Sequence, residues 1–390
     1  MLVTRILGDC PGCGHEDSFG NVNVFGDNLI RGCGYCKYSV EIPLPPVQKK
    51  ILYLDQFFFS HAFRGNEEMF VDAAELIKRQ VSNQVLAVPR SSLHELETLM
   101  WDRRDELLEY IKATSRGAKF NPAYAVEEAQ LLNAFASWRN GGPPSPHIEE
   151  KDVIDRDVHK WDGYFRIDVG LQLHDADEVR HSKRQSIDSL VDLFPDWRAS
   201  ESTFEQDVDG EQAAAGRAYI GAYAQYAARV GAGDFSAIFD SPIISSVVES
   251  MMHILGTDMP PEERLQACGD FFRSQNFKRA AFQLLRAKLY AVLKDMVKQG
   301  AYTNAEKAKQ TLSGFFYDVD HIATYAPYCD AILIDRQMAR FVSDDRVALE
   351  QTHGTRLFSR ENWDEFTNWL NDLSATISEE HQSALDAINA

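Results

Sequence analysis

Long apolar runs are missing from this chain. No stretch reaches eighteen consecutive apolar residues, which excludes a membrane-spanning helix of ordinary length. Positive charge is also scarce: 40 Lys and Arg face 59 Asp and Glu, and the net charge of −19 weakens any broad attraction to polyanions. Cysteine is sparse, with six in 390 residues, too few for a disulfide framework in a chain of this length. Four of them form two Cys-x-x-Cys pairs while Cys268 and Cys329 stand alone, so a reducing cytoplasm is expected. The opening residues 1–9 lack an apolar stretch after their charge and do not read as a signal peptide. Internal repeats and long low-complexity tracts are absent. What is present is a 44% apolar composition, enough to bury a sizeable core in one large domain with a smaller one beside it.

The small unit comes first. Cys10-Pro11-Gly12-Cys13 and Cys33-Gly34-Tyr35-Cys36 are separated by nineteen residues, the spacing of a tetrahedral zinc site. Between them, Asn21–Phe25 and Asn28–Arg31 read as a hairpin around Gly26-Asp27. The pattern predicts a zinc ribbon over residues 1–46, with His15 a bystander. Four sulfurs leave no open coordination position, so this zinc is structural rather than catalytic. Five Lys/Arg balance five acids over residues 1–50, which suits partner docking as well as RNA contact. Pro43, Pro45 and Pro46 predict a stiff spacer.

In the large unit, Ile51–Leu54 runs into Asp55, and Ala331–Ile334 runs into Asp335. Four apolar residues ending in a charge fit a strand buried on both faces of a parallel sheet. Ligands of open parallel sheets bind beyond the carboxyl ends of the strands, so both carboxylates are expected in that crevice, a site suited to metal-dependent phosphodiester chemistry. Further elements follow the same reading. Helices are predicted at Glu67–Ser82 and Arg90–Thr114, with a strand at Gln84–Val88 between them. Residues 116–300 lose strand signals and form a helical insertion, with a break at 141–146 and helices at Ala213–Val230 and Leu265–Lys298. A short helix at Asp320–Tyr325, a strand at Thr355–Ser359 and helices at Glu361–Leu373 and Glu379–Asn389 close the chain.

Four acids stand out along these elements: Asp55, Glu95, Asp320 and Asp335. The segments that hold them, Ile51–Asp55, Ser92–Leu96, Asp320–Ala323 and Asp330–Asp335, resemble the PIN-like nuclease family over about 51–112 and 316–375. The family shares a short parallel sheet, a first-strand Asp, a helix Glu and two later Asp residues. The resemblance implies an α/β fold: a parallel-sheet PIN-like domain over 47–390 with a large helical insertion, preceded by the ribbon. It also implies that Asp55, Glu95, Asp320 and Asp335 bind Mg2+ or Mn2+. Asp318 is an alternative to Asp320, and Asp330 stands beside or instead of Asp335. Clustered carboxylates resist ionisation unless a cation neutralises them, and hard divalent ions prefer oxygen ligands. Plainer roles also fit, since Ser92-x-x-Glu95 matches a capping box and Asp320 a helix N-cap. His61, His94 and His321 lie near these motifs and read as surface or satisfied core histidines.

Residues 271–310 carry nine Lys/Arg against Asp295 and Glu306, a local +7 that leaves −26 on the rest. Lys278, Arg279 and Arg286, with Phe271, Phe272 and Phe277 beside them, are candidates to hold and stack nucleic acid, and Arg336 is a further phosphate contact. The expected function is a metal-dependent endoribonuclease. The alternatives are a non-catalytic scaffold that binds a protein through the ribbon or the insertion, and a structure-specific DNA nuclease.

Overall fold

The computed structural model describes residues 1–99, 101–144, 148–165, 176–240 and 242–390. Ser145 and Pro146 of the predicted break lie outside the described residues. No helix among these residues is long and apolar enough to cross a membrane.

The first forty-three residues form an antiparallel meander, β1 (Arg5–Gly8), β2 (Phe19–Phe25), β3 (Asn28–Cys33) and β4 (Ser39–Pro43), in that spatial order. The hairpin turn falls at Gly26-Asp27, where Phe25 pairs with Asn28 and Gly26 takes a left-handed φ of 57°. Gly20 is obligatory for packing, because a Cβ there would sit 1.8 Å from the Arg5 carbonyl oxygen on β1.

The Pro43–Pro46 stretch does not hold the ribbon away from the rest. Val24 and Leu29 pack with Leu44, Val47, Trp161 and three residues of the C-terminal helix Glu379–Asn389: Ala384, Leu385 and Ile388. That helix ends in carbonyls with no partner of their own. The ribbon supplies donors: Asn21 Nδ2 and Arg31 Nη2 donate to the Ala387 carbonyl at 2.9 and 3.2 Å, and Arg5 donates to Asn389.

The second sheet is parallel. It comprises β5 (Lys50–Leu54), β6 (Leu86–Ala87), β7 (Ala331–Leu333) and β8 (Arg356–Phe358) in the order β6-β5-β7-β8. Alternation sorts its side chains onto two faces. Ile51, Tyr53, Ile332 and Ile334 face one core, with Leu289 and Val292 of the helix Ala281–Lys298 and Val319 of Phe315–Tyr325. Leu52, Leu54, Ala331, Leu333 and Phe358 face the other, with Phe58, Phe70, Ile77 and Leu370. The fold is thus mixed α/β, with helices on both sides of the sheet.

The predominantly helical middle builds its own core around Leu131, Phe135, Val248, Met251, Phe271 and Phe277. Helix Ala281–Lys298 joins the two bodies: Phe282 packs in the lobe, and Leu285 to Val297 pack beneath the sheet.

Several predicted boundaries move, each for a local reason. The expected helix Arg90–Thr114 is two helices, Ser92–Thr98 and Arg104–Ser115. The expected helix Leu265–Lys298 is three, Pro261–Arg273, Gln275–Lys278 and Ala281–Lys298, because Ser274 leaves helical geometry and accepts from the Phe277 amide as a new N-cap. The second strand shortens to Leu86–Ala87, since Gln84 adopts a left-handed φ of 60°. Asp320 sits inside the helix Phe315–Tyr325 rather than at its start.

Burial of the ribbon against the last helix leads to a stability prediction. Leu385→Ala is expected to cost about 2–4 kcal/mol by removing a buried leucine. Urea unfolding measures that cost, and faster proteolysis within Glu379–Asn389 would locate it.

Candidate metal centre and acidic crevice

The four ribbon cysteines converge from the β1–β2 and β3–β4 turns. Cys10 Sγ lies 3.7 Å from Cys36 Sγ, and Cys13 Sγ lies 3.9 Å from Cys33 Sγ. A tetrahedral ion with Zn–S bonds of about 2.3 Å requires sulfur–sulfur edges of about 3.8 Å, so the spacing is compatible with zinc. Backbone amides face the sulfurs: Gly12 donates to Cys10, and Tyr35 donates to Cys33, each at 3.3 Å. The Ser18 hydroxyl, helped by the Tyr35 and Cys36 amides, draws the Cys33 thiol down to about 6 despite burial. At Cys36 the Tyr38 amide acts in the same sense, but burial and three neighbouring sulfurs push that thiol up to about 12. A bound cation removes that conflict.

In the parallel sheet the chain leaves β5 for β6 on one side and then crosses to β7 on the other. The topological switch point therefore lies between β5 and β7, where ligands of open α/β sheets bind. Asp55 and Asp335 stand on its two sides. The Asp55 amide donates to the Leu333 carbonyl at 3.0 Å, which ties the two strand ends together. Each carboxylate also caps the following helix: Asp55 accepts from the Gln56 amide at 2.6 Å, and Asp335 from the Met338 amide at 2.7 Å. Burial raises the Asp55 carboxyl well above its ordinary range, and the negative charges of Glu97 and Asp335 raise it further.

Glu97, not Glu95, is the helix acid that faces Asp55, and the cause is His94. Its Nδ1 accepts from the Ser91 amide at 3.0 Å, leaving Nε2 to donate to the Leu54 carbonyl at 2.8 Å. Burial lowers this imidazole to about 4 and keeps it neutral. Residues three apart share a helix face, so fixing His94 against the end of β5 turns Glu97 toward Asp55. Glu95, two residues before Glu97, takes the opposite side, near Arg90 at 3.5 Å and Lys119 at 3.8 Å. The capping box therefore belongs to Ser91 and His94, not to Ser92 and Glu95. Both acids lie in Ser-Leu-His-Glu-Leu-Glu, and only the histidine's partner distinguishes them.

The later acids divide in the same way. Asp320 pairs with Arg286 at 2.9 Å on the lobe side of its helix. Asp318, two residues earlier, joins Asp55 and Glu97 among the negative charges around the buried Tyr53 phenol, which burial and those charges raise. Asp330 is elsewhere: it sits at the start of β7, pairs with Lys50 at 2.7 Å and accepts from the Ile51 amide at 2.8 Å. The full length of the strand separates it from Asp335, so the two do not share a site. His321 is buried against the Tyr53 hydroxyl at 3.2 Å, and His61 pairs with Glu67 at 2.6 Å.

No family model, curated protein or solved structure matches this chain.

The basic stretch is largely ion-paired within the fold. Arg286 bridges Glu127 and Asp320, Lys278 pairs with Asp209, Lys294 with Glu211 and Lys298 with Asp207. Phe271, Phe272 and Phe277 are core residues of the lobe. The +7 counted along the sequence is thus largely answered by acids from neighbouring helices, leaving Arg279 exposed on a neutralised face. Arg336 differs. It is exposed beside Asp335, contacts Glu361 at 2.5 Å, and helps line a cavity of about 540 Å³ with Lys307 and Arg340. Among the described residues lining that cavity there is no acid.

Among the described residues, the four cysteines are the only set of three or more His, Cys, Asp or Glu whose ligand atoms all lie within 4.8 Å of one another. The crevice acids are more widely spread.

The raised Asp55 carboxyl fixes the sign of a stability effect. The folded chain holds that proton more tightly than the unfolded chain, so ionisation erodes stability as pH rises above the usual carboxylate range. Asp55→Asn keeps a capping oxygen and removes the charge. It is expected to raise the Tm at pH 7 by about 1–3 °C, with the gain shrinking toward pH 4, as measured by calorimetry across that range.

Proposed function

We propose that the chain is a PIN-like, metal-dependent phosphodiesterase that cleaves RNA at the β5–β7 switch point, with a zinc ribbon as a structural module. The observation that carries this reading is the pair Asp55 and Asp335 across the crevice, with Glu97 as a third negative charge on Asp55. Such a crevice suits a hydrated divalent ion, because Mg2+ usually keeps several waters and takes one or two carboxylates plus substrate oxygens. When bound, the ion acidifies water and offsets charge on the phosphate. Asp55 and Asp335 are the holding pair. Glu97 and Asp318, both of which bear on the Tyr53 phenol, would orient that water, and one of them would take its proton. Lys307, Arg336 and Arg340 line the neighbouring cavity and suit the phosphates that flank the cleaved bond. The whole chain's net charge of −19 disfavours a polyanion away from these cations.

A second reading has its own support. Asp55 and Asp335 already serve as helix caps, and the crevice acids do not gather within 4.8 Å. A non-catalytic scaffold retains both features. Cleavage of a mixed RNA pool in Mn2+ separates the two. The nuclease reading expects cleavage that falls at least about 100-fold in Asp55→Asn, falls in Glu97→Gln and persists in Glu95→Gln. Equal cleavage by wild type and Asp55→Asn would sink the assignment. Cleavage of single-stranded or forked DNA in preference to RNA would change the substrate class. A wild type inert on all three would favour the scaffold.

The ribbon carries its own expectation. Elemental analysis should find one zinc per chain, lost in Cys33→Ser. Chelation should lower the Tm and expose the C-terminal helix to protease, since the same module buries that helix.

A further inference from the structure

We propose that the cavity beside the crevice, walled by the helices Ala281–Lys298, Ala305–Thr311 and Arg336–Val342, is a binding site for a phosphate monoester. The assignment rests on the cavity itself and stands whether or not the crevice cleaves RNA. Its volume of about 540 Å³ is in the range of small-molecule pockets.

Charge selects the ligand. Lys307, Arg336 and Arg340 line the cavity, and every other described lining residue is uncharged: Met296, Tyr302 and Phe341, and otherwise alanine, threonine, asparagine or glutamine. Arg336 is paired at 2.5 Å with Glu361, which does not line the cavity. Lys307 and Arg340 are exposed and form no ion pair among the described residues, so two reachable positive charges are left unanswered. On the helix Ala281–Lys298, by contrast, Arg286, Lys294 and Lys298 all meet acids. A phosphate monoester carries about two negative charges near neutral pH, whereas a diester carries a single one. Two unanswered cations therefore match one monoester. A guanidinium also offers a planar fork to phosphate oxygens, with the lysine as a compact charge beside it.

The uncharged wall accepts the rest of such a ligand. Met296 and Tyr302 are half-buried and pack on the core beneath the sheet. Tyr302 is held at the cavity by its backbone: its φ of 58° is left-handed, and Arg198 donates to its carbonyl at 2.7 Å. Arg340 bears on the same side chain, since its charge opposes the rise that burial imposes on the Tyr302 phenol. A phosphate at the cations with a ring against this wall satisfies both parts. Two sources supply that chemistry, a free mononucleotide and the phosphorylated end of a strand. On the cleavage reading, a strand end held beside Arg336 would place the cut a fixed, short distance from that end.

Calorimetric titration of the full chain without added Mg2+ or Mn2+ tests this, so that binding is read apart from cleavage. The probes are UMP, its methyl ester, uridine and succinate, with a tetrauridylate bearing a 5′-phosphate, a 3′-phosphate or hydroxyls at both ends. At least one monoester is expected to saturate, about tenfold or more tightly than its phosphate-free counterpart. Lys307→Ser and Arg340→Gln should each weaken it about tenfold with wild-type circular dichroism. Arg279→Gln, which removes an exposed cation outside the cavity, should leave it unchanged. UMP binding as tightly as the phosphorylated strands would identify a free mononucleotide as the ligand, and a preference for one strand would identify that end. No saturable binding of any monoester at millimolar concentration would overturn the proposal. So would a methyl ester or succinate that binds as tightly as the best monoester, or undiminished binding in folded Lys307→Ser and Arg340→Gln.

Discussion

The parallel pairing of Leu52–Leu54 with Ala331–Leu333 is the constraint on which the rest of the molecule depends. Both strands are buried on both faces, so their backbone groups must find partners in the sheet. Their side chains alternate between two cores that together hold most of the large domain. The pairing also joins segments nearly three hundred residues apart. Loop-closure entropy grows only with the logarithm of length, about 0.6 kcal/mol per doubling, so the intervening chain is free to fold into a helical lobe of its own. Once β5 and β7 lie side by side, their carboxyl ends are adjacent, and so are the acids that follow them.

Electrostatics in this protein are arranged by partner rather than by composition. Acids at the crevice are held near one another, and Asp55 bears the consequence as a carboxyl pushed above its ordinary range. The cations that look like a binding stripe along the chain point between helices instead, where Arg286, Lys278, Lys294 and Lys298 meet acids from other elements. Exposed cations lie beside the crevice at Lys307 and Arg340, with Arg336 between them paired to Glu361. The cysteine cluster and helix docking are linked in a similar way. The ribbon that gathers four cysteines also supplies Asn21 and Arg31 to the orphan carbonyls of the last helix.

Elements with a strong local signal are legible in consecutive residues. Ile51–Leu54 and Ala331–Ile334 announce buried strands by their apolar runs, and the two Cys-x-x-Cys pairs announce a common centre by spacing alone. Glu379–Asn389 carries its start signal in Ser378 and matches its helix residue for residue. Boundaries set by capping are harder to read. Ser91, Ser274 and the left-handed Gln84 each end or restart an element through a local hydrogen bond or dihedral that competes with the apolar periodicity around it.

Sequence alone determined that two acid-tipped strands and a four-cysteine unit exist, because burial pattern and ligand spacing are properties of consecutive residues. Tertiary structure alone decided which acids meet. Glu97 rather than Glu95 faces Asp55, and Asp318 rather than Asp320 stands with them near Tyr53, because a rotation of about 200° separates residues two apart on a helix. The side that faces the sheet is chosen by a long-range contact: His94 to the Leu54 carbonyl in one case, and Arg286 to Asp320 in the other. Asp330 and Asp335 are likewise indistinguishable as strand-end acids until the parallel register puts one at each end of β7. Direction around a helix and position along a strand are set by what packs against them, and no run of consecutive residues contains that information.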